Sequence, residues 1–249
     1  MSGSTGGATT GFVELAAGVH VLRYPRLDVN VTLIVGDGEA LLVDTLSTPE
    51  QAAELAAAAR AVTRLPWSIV NTHHHFDHCL GNALLASPDR PVWAHERTAL
   101  LLRERAGQLR RDWYAECLQL DPSLAAQVAA TPIRAPDRTV RERVDLQVGG
   151  RAVVLHHLGR GHTAGDLVVE VPDAYVLVAG DLVEQSGPPM FADAYPLSWP
   201  ETLARLLRLS HAGTTVVPGH GALVGRDFVQ AQHADLVHLA GLIRTGEAS

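Results

Sequence analysis

The chain has 249 residues and no lysine; all 20 of its basic side chains are arginine. This excludes a Schiff-base mechanism and any lysine-based capture of a substrate carboxylate, so a clamp on an anionic group falls to arginine. Cysteine is scarce as well, with Cys79 and Cys117 the only two. Two cysteines make no disulfide framework, and Cys79, directly after His78, reads as a small buried hydrophobe. No apolar run approaches the roughly 20 residues that span a bilayer. Met1 to Gly11 is rich in Ser, Gly and Thr without a signal peptide's hydrophobic region, so a flexible tail over 1–11 and a cytoplasmic location are the expectations. Positive charge is in deficit, with a formal net charge of −7. Extended contact with a nucleic-acid backbone wants a basic face, so the expected partner is a small molecule rather than a polynucleotide or a membrane. A content of 47% hydrophobic and 19% charged residues fits one large globular domain.

What the chain does have is concentrated imidazole. Residues 71–78 read Asn-Thr-His-His-His-Phe-Asp-His, which contains the spacing H-x-H-x-D-H over His73, His75, Asp77 and His78. Borderline-soft divalent metals favour imidazole nitrogen and carboxylate oxygen. The preceding Trp67–Val70 reads as a short buried strand, so the histidines sit where a strand spills into a loop. In extended backbone His73 and His75 project to one side and can share one ion, whereas His74 is out of phase. Asp77 and His78 lie a turn later, at a helix start, within reach of a second ion. Three more strands end in glycine and a lone ligand-type residue, at His162, Asp181 and His220. The glycines let the backbone approach closely.

These seven residues, in this order, resemble the metallo-β-lactamase-fold hydrolases, and within them the glyoxalase II-like branch, over about Val13 to Gly221. The resemblance implies an α/β (α+β) fold, an αββα sandwich of two mixed β-sheets flanked by helices, with metals at the edge between the sheets. It implies two divalent ions, zinc first and iron or manganese as alternatives. His73, His75 and His162 would hold one ion, Asp77, His78 and His220 the other, with Asp181 bridging. Classical zinc β-lactamases carry a cysteine where Asp181 stands, which argues against that activity here. A glyoxalase II carries a C-terminal helical extension for glutathione, whereas 29 residues follow His220 in this chain.

Around this site, Val13–Tyr24, Val29–Gly36 and Ala40–Thr45 read as consecutive antiparallel strands, the last two joined at Gly36-Asp37-Gly38. Pro49–Arg64 reads as a helix capped by Thr48, and Gly81–Leu85 as a helix after the histidine loop. Four strands and a helix over Glu201–Leu209 follow in the second half. The domain is expected over 12–249, with a helical insertion at about 97–130 whose stripe holds Leu109, Trp113, Cys117, Leu120 and Leu124. This segment and the Pro- and aromatic-rich Glu184–Pro200 are read as pocket walls, with Trp113, Arg160, Phe191 and Tyr195 as substrate contacts. Asp44 and Asp166 are candidate acceptors for the outward N–H of a metal-bound imidazole.

The expected chemistry is hydrolysis of a small ester-like substrate, a thioester, lactone or related acyl compound, by a hydroxide bridging two ions whose charge lowers the pKa of water. Asp77 and Asp181 are the catalytic candidates, metal ligands that can also move the proton. Two alternatives use overlapping ligand sets: a mononuclear iron enzyme of the persulfide dioxygenase type, and a metal-dependent phosphodiesterase.

Overall fold

The computed structural model describes residues 11–247, so all but Gly11 of the expected tail lies outside the described residues. In chain order the first half holds β1 (Val13–Ala16), β2 (Val19–Arg23), β3 (Asn30–Val35), β4 (Ala40–Val43), α1 (Pro49–Val62) and β5 (Trp67–Val70). Then come α2 (Phe76–Cys79), α3 (Asn82–Leu85), β6 (Val92–His95), α4 (Glu96–Glu104), α5 (Ala106–Leu120) and α6 (Pro122–Ala130). The second half holds β7 (Arg138–Val140), β8 (Arg143–Val148), β9 (Arg151–His156), β10 (Val168–Val171) and β11 (Val176–Glu184). It closes with α7 (Trp199–Leu209), β12 (Thr215–His220), β13 (Val224–Gly225) and α8 (Arg226–Thr245).

Period-two alternation builds the layers. In β4, Leu41 and Val43 enter a central cluster while Ala40 and Leu42 turn to the opposite face. In β11, Val176 and Val178 enter the same central cluster while Leu177 and Ala179 face outward. A strand apolar on both faces must be covered on both. The first sheet runs β1 to β7 in sequence order, antiparallel up to β4 and parallel beyond. The second runs β13-β12-β11-β10-β9-β8, with only β11 and β12 parallel. The two inner faces share the central cluster. Leu55 and Ala59 of α1 cover the outer face of the first sheet, and Trp199, Leu203 and Leu236 of α7 and α8 cover that of the second. The result is an αββα sandwich of two mixed sheets.

Several elements differ from the sequence expectation. The strand expected over Val13–Tyr24 is two strands, because Gly18 takes φ +68 and folds them into a hairpin. The second half holds β7, β8 and β13 besides the four strands expected. The helical stretch at 97–130 is three helices, broken at Arg105 and at Asp121-Pro122, where the Asp121 side chain accepts from Ser123 N. Thr48 does cap α1, accepting from Gln51 N. Among the described residues no helix is long and apolar enough to cross a membrane.

Topology gathers the chemistry. The parallel strands β4 and β5 in one sheet, and β11 and β12 in the other, end at a common edge, stitched by Leu167 N donating to Thr72 O at 2.8 Å and a bridge between Val29 and His220. Leu155 sits fully buried in the inter-sheet cluster. Leu155→Ala is expected to cost about 2–5 kcal/mol in urea unfolding, the range for a buried leucine leaving a cavity. A change below ~1 kcal/mol would show that the two sheets do not rely on this packing.

Candidate metal centre

Seven side chains converge at that edge. His73, His75, His162 and Asp181 place one ligand atom each within 4.8 Å of one another, as do Asp77, His78 and His220. Asp181 belongs to both neighbourhoods: its Oδ2 lies 3.4 Å from His162 Nε2 and 3.2 Å from His220 Nε2, and its Oδ1 3.2 Å from His78 Nε2. Asp77 Oδ2 lies 3.4 Å from His220 Nε2. A carboxylate between two groups of imidazoles is placed to neutralise charge in both.

The rings are aimed by what holds their far sides. A carboxylate or carbonyl only accepts, so each outward contact fixes which ring nitrogen carries hydrogen. His78 Nδ1 donates to Asp44 Oδ2 at 2.8 Å, leaving Nε2 free toward the cluster. Asp44 also accepts from Thr72 N and Thr72 Oγ1, and with that hydroxyl hydrogen used, His73 Nδ1 donates to Thr72 Oγ1 at 3.0 Å. His220 Nδ1 donates to Leu27 O at 2.7 Å. His75 is turned the other way, with Nε2 donating to Asp193 Oδ1 at 3.0 Å and Nδ1 facing inward. His162 Nδ1 lies 3.4 Å from Glu184 Oε1, an ionic approach without hydrogen-bond geometry.

This arrangement fits a bound cation. His75 Nδ1 faces His162 Nε2 at 2.9 Å, and His78 Nε2 faces His220 Nε2 at 3.3 Å. Two nitrogens bound tetrahedrally at about 2.0–2.1 Å to a common zinc lie roughly 3.3 Å apart. His73 Nε2 and Asp181 Oδ1 are buried without a hydrogen-bond partner, as atoms meant for a metal are in its absence. Burial pushes His73 well below the usual imidazole range and His162 down to about 3, which keeps their lone pairs free. Burial alone would lift the Asp181 carboxyl, yet His220, His78 and His73 hold it well below its ordinary range.

A cavity of about 230 Å³ opens onto these residues, walled by Leu27, Phe76, Leu120 and Met190 and carrying the carboxylates of Glu116 and Glu184. Both expected wall segments contribute, but through other residues than those expected. Trp113 is 2% exposed and packs with Phe76, Leu109 and Cys117; the cavity receives Glu116 and Leu120 from the same helix. Phe191 turns to Trp199, with ring centroids 5.7 Å apart, leaving Met190 and Ala192 to line the cavity. Arg160 lies over the Tyr195 ring at 5.1 Å, and neither lines it. Asp44 is the acceptor expected of it. Asp166 is not: its carboxylate accepts from Thr163 N and Thr163 Oγ1, closing the turn after His162. Sequence reasoning missed Asp193, Glu184 and the Leu27 carbonyl as holders of the rings. The only signal for Asp193 was its place in the segment after Asp181.

The metallo-beta-lactamase superfamily model matches residues 24–220. A hydroxyacylglutathione hydrolase of Brucella anthropi is 26% identical over 205 residues, 79% of this chain and 66% of that protein. Metallo-beta-lactamase IND-1 of Chryseobacterium indologenes is 32% identical over 87 residues, 34% of this chain and 36% of that protein. The chain thus spans just under two thirds of the first relative and about a third of the second. Among solved structures, a metallo-beta-lactamase from Pontibacter korlensis superposes with a TM-score of 0.73 at 22% identity, covering 91% of this chain and 98% of that one.

Gly219 offers a direct test of the geometry. A Cβ there would stand 1.7 Å from Asp181 Oδ1, so Gly219→Ala must displace that carboxylate. Metal affinity is expected to fall on the order of 10- to 100-fold, judged by the usual cost of disturbing a ligand's support. Gly225→Ala, where an added Cβ meets nothing within 4 Å, is the control. Chelator competition reads the difference; equal affinity in both variants would remove Asp181 from the centre.

Proposed function

This chain belongs to the metallo-beta-lactamase superfamily of metallohydrolases, and on that premise we propose that it hydrolyses a compact, uncharged acyl substrate, a thioester or lactone, at a dinuclear zinc centre. One observation carries the reading: two facing sets of ring nitrogens, four of the five rings hydrogen-bonded on their far side, with Asp181 in contact with both sets. His73, His75 and His162 would hold one ion and Asp77, His78 and His220 the other, with Asp181 between. When bound, the two ions supply Lewis acidity and lower the pKa of water.

The chain's own residues do the rest. Asp44, Thr72, Leu27 O and Asp193 keep His78, His73, His220 and His75 aimed at the cluster, and an ion would displace protons from His75 and His220, which, against the pull of burial, Asp193 and Asp181 lift to about 9. Leu27, Phe76, Leu120 and Met190 form the apolar wall that excludes bulk water from an acyl group. Asp77 Oδ2, at the edge of the cluster beside His220, is placed to take the proton released as water adds and to return it to the leaving group.

Charge supports the substrate class. No arginine is among the residues lining the cavity, the chain has no lysine, and Glu116 and Glu184 face inward. Away from the proposed ions, a substrate carboxylate would lie beside Glu116 and Glu184 without a fixed cationic side chain to clamp it. This disfavours β-lactams and glutathione thioesters, whose carboxylates lie apart from the bond that reacts. The mononuclear iron reading leaves the facing pair His78 and His220 without a task.

Metal analysis of protein purified without added metal, paired with turnover of neutral thioesters and lactones, is the decisive experiment. Two zincs per chain with lost turnover in Asp181→Ala is the expected result; one iron per chain with oxygen uptake on a persulfide would replace this reading. A second expectation concerns Glu116. Glu116→Gln should raise kcat/KM for a carboxylate-bearing ester about 3- to 10-fold relative to its neutral analogue, the scale of one partly screened charge removed. An unchanged ratio would show that the substrate does not pass Glu116.

A further inference from the structure

One carboxylate beside the centre lies outside the proposed ligand set. Asp193 sits in the connection between β11 and α7. Its Oδ1 is 3.0 Å from His75 Nε2 and its Oδ2 3.3 Å from His74 Nε2. The histidine rings are mostly buried, whereas Asp193 is 45% exposed. The connection is also tied at its two ends. Near β11, Met190 N donates to Glu184 Oε1 at 3.3 Å, and near α7, Tyr195 N donates to Gly161 O at 2.8 Å. Asp193 is the tie in the middle, between Ala192 of the cavity wall and the paired histidines.

We infer that Asp193 is a positioning residue that fastens this connection to His74 and His75, so that aiming His75 Nδ1 at the metal and closing the cavity wall are a single event. The inference rests on the proposed role of His75 as a metal ligand. An unsupported imidazole can rotate by half a turn and exchange tautomers, presenting either nitrogen. The carboxylate removes that freedom, because it only accepts and therefore keeps the hydrogen on Nε2. His74 gives the same carboxylate a second donor, so both oxygens are used and the loop cannot pivot about one bond. Glu184 follows the same plan at the start of the connection, contacting Met190 N on one side and His162 on the other. Two of the ties on this segment, at Glu184 and at Asp193, are thus carboxylates that also touch proposed ligand rings.

His74, His75 and Asp193 could also be taken as a cation site of their own, since their ligand atoms lie within 4.8 Å of one another. That use would require His75 to hold two cations at once as an imidazolate, because its Nδ1 already faces His162 Nε2. The hydrogen-bonded role needs only the neutral ring.

The test uses the full chain, with Co(II) as the probe. Wild type, Asp193→Asn and Asp193→Ala are titrated with Co(II) against a chelator, and their visible spectra are recorded. Amide exchange over residues 186–196 is measured with and without the metal. In Asp193→Ala, cobalt affinity should fall about 10- to 100-fold, the usual effect of losing an acceptor behind a metal-bound imidazole. Its ligand-field bands should shift as well. Asp193→Asn, which keeps one acceptor oxygen, should recover part of both. Cobalt should slow exchange over 186–196 in wild type and leave it unchanged in Asp193→Ala. Equal affinity and identical spectra in wild type and Asp193→Ala overturn the positioning role while leaving the metal centre standing. A third cobalt per chain that vanishes in Asp193→Ala overturns it in favour of a separate cation site. A wild type that takes up no cobalt overturns both this inference and the metal reading beneath it.

Discussion

Five imidazoles, three buried and two half-buried, around two carboxylates are the constraint to which the rest of this structure answers. A neutral imidazole has one lone pair and one N–H, and only an acceptor on the far side decides which faces inward. The fold supplies four such acceptors from four places, the end of β4, the end of β5, the turn before β3 and the connection to α7, while Glu184 at the end of β11 makes an ionic approach to the fifth ring. None comes from a helix interior, where carbonyls are already committed to the helix. The sandwich brings irregular backbone from both sheets to one edge, where side chains and carbonyls are free to turn toward the rings.

That supply has a conformational cost. Leu27, Asp28, Asp44 and Leu46 all take positive φ, between 59 and 68°. Residues with a Cβ rarely adopt this region, at a cost of order 1–3 kcal/mol each. Two of the four serve the centre directly: Leu27 gives its carbonyl to His220, and Asp44 receives Thr72 and His78. The strain persists because each residue is held from several sides. Asp44 N, for example, donates to Val70 O at 2.8 Å while its carboxylate is fully engaged. Strain of this kind is stored where rigidity of the site is worth more than local stability.

Much of the centre was legible in the sequence, and what was not has physical reasons. His73, His75, Asp77, His78, His162, Asp181 and His220 declared themselves through residue type and position at strand ends, and the structure brings all seven together. Asp44 was readable for the same reason. The Leu27 carbonyl was not, because a backbone acceptor has no residue identity to read. Asp193 lies in an irregular connection where no period says which way a side chain points. Trp113 shows a different limit. Helical spacing put it on one stripe with Leu109 and Cys117, and that stripe is the buried one, so the cavity takes its neighbour Glu116 instead. The layers were legible through alternation, but the breaks at Gly18 and Asp121-Pro122 depended on local turns that apolar patterning alone overlooks.

The proposed ligands are divided between the sheets. His73 to His78 follow β5 of the first, while His162, Asp181 and His220 belong to the second. An ion shared across that divide is a cross-link made late, since neither half can complete its coordination before the two have docked. Separating the sheets would then require releasing the ion first, so the lifetime of the folded molecule would follow the metal's escape rate as well as the strength of the apolar core. A chain without a disulfide framework would thereby gain, from its reaction centre, the kind of tether that small secreted proteins obtain from paired sulfur.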